Sequence, residues 1–150
     1  MTLGNSRLVR TASFAAPYYL SIVRIVVGLM FMEHGTSKLF AFPVPAGHHD
    51  PLTLLWFAGV IETVGGALLA LGLWPRLAAF VMSGEMAIGY FMGHAPKAFF
   101  PIANGGDAAI LYCLVFLYFA LAGGGPWTIA TLFGRPAGER SHWHSAHAAR

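Results

Sequence analysis

LTLLWFAGVIETVGGALLALGLWPRLAAFVMSGEMAIGYFMGHA, residues 52–95, decides how this chain folds. Two apolar runs, 52–74 and 76–95, are separated by little more than Pro75–Arg76. Proline cannot continue a helix that precedes it, so the pair reads as two helices joined by a very tight turn. A helix needs about 20 apolar residues to cross the hydrocarbon core, and both runs are long enough. Working outward, YYLSIVRIVVGLMFMEHGTSKLF (18–40) and GGDAAILYCLVFLYFALAGGG (105–125) have the same character. FPVPAGHHDP (42–51) and PKAFFPIANGG (96–106) are the loops between, marked by proline and glycine. The expected fold is all-α, a four-helix transmembrane bundle.

Composition agrees. Of 150 residues, 57% are hydrophobic and 10% charged, against about 25% charged in soluble domains. Mean hydropathy is +0.63. The net charge of +3 does not imply nucleic acid, because the basic residues are scattered beside apolar runs and not gathered on one face. The single cysteine, Cys113, excludes an internal disulfide and a CxxC site. The first apolar run is too long for a signal h-region and lacks a small-residue cleavage site, so it reads as an uncleaved span. The chain divides into an N-terminal segment (1–17), a membrane domain (18–127) and an interfacial and flexible tail (128–150).

Orientation follows from basic residues. Arg7 and Arg10 precede the first span, Arg76 lies between the second and third, and Arg135, Arg140 and Arg150 follow the fourth. With four spans these regions share one side, which makes both termini cytoplasmic. The opposite side carries Lys38 and Lys97. Trp127 is expected at the membrane–water boundary. An internal repeat is also suggested: Glu33 follows Arg24 by nine residues, as Glu85 follows Arg76.

Four of the six acids, Glu33, Glu62, Glu85 and Asp107, lie in or at the ends of spans. A charge at the centre of such a helix costs roughly 2.5–3.5 kcal/mol, and residues of this kind face the bundle interior. Glu62 and Glu85 fall near mid-membrane. Arg24 falls within side-chain reach of Glu85, so Arg24 with Glu62 or Glu85 is expected to form a buried pair. Glu33, His34, Lys38, His94, Lys97 and Asp107 fall toward the outer side and form the walls of a polar chamber. On a helical projection Arg24, Gly28, Gly35 and Lys38 share one face, and Glu33 points away toward a second subunit or a kink at Gly35. Gly59, Glu62 and Gly66 share a phase, as do Ala78, Glu85 and Gly89; small residues there permit close helix approach. Asn104 is placed to cap the fourth helix and Asp107 to complement its dipole; the same terminus could hold an anionic or carbonyl-bearing ligand. The aromatic residues of the fourth span, Tyr112 among them, read as packing or lipid contact. His142, His144 and His147 have metal-like spacing on the tail, but no metal is expected there. His34 and His94 could in principle ligate haem from two helices, yet nothing in the sequence sets their distance. No nucleotide-binding or hydrolase motif is present.

The combination of RIVVGLMFMEHGTSKLF (24–40) with GVIETVGGALLALGLWPRLAAFVMSGEMAIGYFMGHAPKAFFPIANGGDAAILYCLVFLYFALAGGGPW (59–127) resembles the DoxX family of small bacterial membrane proteins. The resemblance covers about residues 18–127. It implies a four-helix membrane fold and a link to respiratory redox chemistry, since relatives are associated with a terminal quinol oxidase and with thiosulfate:quinone oxidoreductase. It also carries over Arg24, Gly35, Lys38, Glu62, Glu85, His94, Lys97 and Asp107 as site positions. Three functions are therefore weighed: a quinone-associated subunit of an inner-membrane oxidoreductase complex, working with a protein partner; a carrier for a small solute or protons, as a homo-oligomer; and a non-catalytic scaffold for a redox partner.

Overall fold

A computed structural model of the chain describes residues 3–45 and 50–132. It is built from helices: α1 (Leu3–Phe40), α2 (Leu54–Leu71), α3 (Pro75–Gly89), a short α4 (Pro101–Asn104), α5 (Asp107–Ala122) and a short α6 (Ile129–Leu132). α3 runs on into a π-helical stretch, Tyr90–His94. The segment of α1 from Val9 to Phe40, and α2 as a whole, are long and apolar enough to cross a membrane. α5 is apolar but shorter, at 16 residues. The tail histidines 142, 144 and 147, and arginines 135, 140 and 150, lie outside the described residues.

α1 passes without interruption through residue 17, the expected end of the N-terminal segment. α1 is continuous from Leu3, because Pro17 and the few polar residues before it do not break it. Its 38 residues span roughly 57 Å at 1.5 Å per residue, well beyond a hydrocarbon core of about 30 Å. α1 is unbroken at Gly35, and Glu33 is exposed.

The tight turn is as expected. Gly72 closes α2 in the left-handed region (φ 72°). Its N–H donates to Leu69 O and the Leu73 N–H donates to Leu68 O at 2.9 Å, the paired bonds of a Schellman ending. α3 begins at Pro75, whose missing N–H costs nothing in a first turn.

Helices pack mainly as two pairs, α1 with α2 and α3 with α5, joined across α2 and α3. In the first pair, glycines meet backbone to backbone. A Cβ on Gly28 would lie 2.8 Å from Ala70 N, and one on Gly66 would lie 2.6 Å from Gly28 O. Gly35 sits against Gly59 O in the same way. With apolar tails outside, helix association relies on such close packing. Gly89 does not share this role: a Cβ there would meet nothing within 4 Å. The core between the pairs consists of Phe31, Leu69, Ala78, Ala79, Met82, Phe116 and Phe119. Outside it, large apolar side chains stand exposed around the helices, for example Phe80, Leu114 and Leu121, as lipid-facing surfaces require.

The arginine half of the suggested repeat has a structural counterpart. Arg24 donates through Nη1 to the carbonyls of Leu69 and Ala70, in the last turn of α2. Arg76 donates to those of Ala120 and Leu121, in the last turn of α5. Each of those turns ends at a positive-φ glycine, Gly72 or Gly123. Thus the first helix of each pair carries an arginine that caps the end of the second. The glutamate half does not match: Glu33 is exposed, whereas Glu85 is half-buried.

Candidate functional site

The site begins with Lys38, in the last turn of α1, and Glu62, mid-way along α2. Lys38 Nζ donates to Glu62 Oε1 at 2.6 Å; the lysine side chain is 22% exposed and the glutamate 2%. The glycine contacts described above bring α1 and α2 close enough for a lysine stem to reach across. Glu62 Oε2 is buried and has no hydrogen-bond partner among the described residues. Glu85, on α3, has a second buried and unpartnered oxygen, its Oε2. Glu85 lies within electrostatic range of both Glu62 and Lys38. An unpaired buried carboxylate oxygen is costly, and here there are two.

An aromatic wall adjoins this group. The rings of His34 and Tyr112 meet edge to face at 5.7 Å. Tyr112 also stacks on Phe116 at 5.6 Å, and Phe31 contacts both at 5.1 and 4.7 Å. His34 Nδ1 donates to Met30 O at 2.9 Å. In a neutral imidazole this leaves Nε2 as an acceptor. The four longest helices contribute: His34 and Lys38 from α1, Glu62 from α2, Glu85 from α3 and Tyr112 from α5.

Two openings lead here. A cavity of about 240 Å³ is lined by Glu33, His34, Ser37, Lys38, Pro43 and Val44. A second, of about 320 Å³, opens along the seam between α1 and α5; Val27, Met30, Leu111 and Val115 line it, and Tyr112 forms part of its wall. The first lies at the C-terminal end of α1, with Glu33, His34, Ser37 and Lys38 on its wall. The second is lined almost wholly by apolar side chains.

Several expected members lie elsewhere. Arg24 pairs with neither Glu62 nor Glu85. It is fully buried, yet its donors all go to backbone: Nε to Gly124 O at 2.8 Å, Nη1 to Leu69 and Ala70, and Nη2 to Trp127 O. The reason is axial distance, because Arg24 and Lys38 are roughly 21 Å apart along α1. The outer chamber also splits. His94 Nδ1 donates to Asn104 O at 3.1 Å, and no hydrogen bond or ion pair among the described residues joins His94, Lys97 or Asp107 to Lys38. Lys97 and Asp107 are exposed. Asn104 does not cap α5, whose N-cap is Gly106. Instead its Nδ2 donates to Ala98 O, and its Oδ1 accepts from Gly106 N at 2.8 Å, which braces the loop. No group of three or more metal-ligating side chains is present among the described residues.

The sequence reads Tyr112 as packing or lipid contact, and nothing in it points to Ser21. Ser21 is buried and accepts from Trp127 N at 3.2 Å, which holds the segment after α5 against α1. Trp127 itself is 50% exposed and its ring leans on Tyr18 at 6.0 Å.

These features define an all-helical, membrane-type protein with an ionisable cluster enclosed among its helices. The DoxX family model matches residues 19–95. An uncharacterized protein of Haemophilus influenzae is 48% identical over 125 residues, covering 78% of this chain and 92% of the relative. The chain belongs to the DoxX family. No solved structure matches it.

Proposed function

We propose that this chain is a multi-pass inner-membrane protein with four spans and both termini cytoplasmic, acting as a quinone-associated component of a membrane oxidoreductase complex. The observation that carries this reading is the His34–Tyr112 ring pair: His34 stands one turn of α1 from Lys38, and Tyr112 also walls the apolar cavity along the α1–α5 seam. A flat, lipid-soluble carbonyl compound fits such walls: rings to stack on, and an ammonium or imidazole to hydrogen-bond its oxygen. A quinone, when bound, supplies reversible uptake of two electrons and two protons. Lys38 would orient a carbonyl oxygen, and Glu62 or Glu85 would hold the proton passed to it. Electrons would come from a protein partner. The orientation is supported by Arg76, which sits where the α2–α3 turn meets the end of α5; Arg7 and Arg10 lie in the N-terminal turns of α1, before its apolar span.

Titration of a short-chain quinone into the purified protein, followed by tryptophan fluorescence, tests the reading. Saturable binding is expected, weakened roughly tenfold by Tyr112→Leu, a loss of about 1.4 kcal/mol. Absence of saturable binding, or equal binding by Tyr112→Leu and His34→Ala, removes it and leaves the carrier and scaffold readings. Flux in proteoliposomes then separates those two.

A further inference from the structure

Glu62 and Glu85 pose a question of charge and of hydrogen bonding together. Lys38 is paired with Glu62, and Glu85 lies within electrostatic range of both, so with all three ionised the group carries a charge of −1. Glu62 is 2% exposed. The Oε2 atoms of both acids are buried and lack a donor among the described residues. The neighbouring elements do not supply one. From α1 the ionisable groups in range are Glu33, His34 and Lys38, and from α5 Tyr112. Lys38 is already engaged with Glu62 Oε1. His34 commits its Nδ1 to Met30 O. Ser83, the nearest hydroxyl on α3 by sequence, donates to Cys113 O at 2.9 Å. What the group lacks is one positive charge that also acts as a hydrogen-bond donor.

We propose that the Glu62–Glu85 pair binds a single exchangeable proton, and that Lys38 sets the number at one. Binding takes the group from −1 to neutral, with nothing else released. Two acids in one enclosure do not both ionise readily, and the proton belongs to the pair and not to either residue. A metal cation would need more ligands than these. The open cavity lined by Glu33, His34, Ser37 and Lys38 gives solvent protons a way in. The inference rests on Glu62, Glu85 and Lys38 and holds whether or not a quinone binds.

Infrared difference spectroscopy on the full-length, quinone-free protein in nanodiscs tests it. Stepping from alkaline to acid pH is expected to produce a protonated-carboxyl band that shifts in D₂O. Glu85→Gln, which keeps the side chain's volume, abolishes the band; Glu33→Gln, on the exposed face, keeps it. Lys38→Met removes the neutralising ammonium, so the pair takes up a second proton and the band grows. Should Glu62→Gln fail to fold, Glu85→Gln and Lys38→Met still decide the matter. A band that survives Glu85→Gln, no band at any pH, or an unchanged band in Lys38→Met overturns the proposal. So does loss of the band on adding Na⁺ or K⁺ at constant pH, which would assign the site to a metal cation.

Discussion

Lys38 holds Glu62 through one carboxylate oxygen, at 2.6 Å, and leaves the other without a partner. The bond links the last turn of α1 to the middle of α2. Breaking a buried ion pair from one side strands the remaining charge, at a cost of about 3–5 kcal/mol. Lys38→Met is therefore expected to lower the thermal stability of the detergent-solubilised protein strongly at alkaline pH, and less at acid pH, where the pair takes up its second proton. Lys38→Met/Glu62→Leu, with no charge left to strand, should recover most of that loss. A double variant no more stable than Lys38→Met would show that the pair is not what holds these helices.

Arg24 should not tolerate lysine. Its guanidinium addresses four carbonyls from three directions, whereas an ammonium is a compact point charge without that fork. Each charged hydrogen bond to a carbonyl is worth about 1.5–3 kcal/mol. Arg24→Lys is expected to destabilise by several such units' worth. Arg76→Lys, exposed at its own helix end, should cost far less. Melting temperatures of the two variants, compared in one detergent, check the ranking.

The glycine contacts make a graded prediction. Gly28→Ala would place a methyl 2.8 Å from Ala70 N, and backbone cannot step aside as a side chain can. Overpacking of this kind costs about 1–3 kcal/mol. Gly84→Ala, on the open side of α3, meets nothing within 4 Å and should stabilise by about 0.5–1 kcal/mol, since alanine favours helix. Equal melting temperatures for the two would contradict the close α1–α2 approach.

Asn104 provides a test of loop structure against ligand binding. Its side chain makes two hydrogen bonds within the loop before α5. Asn104→Ala is expected to speed proteolysis between Lys97 and Gly105, and to leave quinone affinity unchanged. A large drop in affinity without faster cleavage would place Asn104 in the binding machinery instead.

Much of this architecture could be read before any coordinates. The seven-residue spacing of Gly28 with Gly35, and of Gly59 with Gly66, marked the contact faces of α1 and α2. Pro75 marked the turn, and Glu62 in an apolar run marked the interior. Arg24 was misjudged because its partners are main-chain carbonyls, and a carbonyl leaves no trace in the residue names. The nearest signal was the glycine at each helix end, Gly72 and Gly123. Tyr112 was hidden in an aromatic run where only the rotation of α5 separates lining from lipid contact. The π-helical stretch Tyr90–His94 redirects His94 toward Asn104, and regular periodicity could not anticipate that turn of the chain.

The reach of Arg24 also bears on the order of assembly. Leu69 and Ala70 emerge with the first helix pair, but Gly124 and Trp127 arrive only after α5 has been made. A nascent chain paused before residue 124 holds a cation with half its donors unanswered inside a greasy environment. Synthesis of the final helix and the strand of chain behind it is what completes that shell. Truncation just short of this point would thus be felt at the opposite end of the sequence, in the first helix to enter the bilayer.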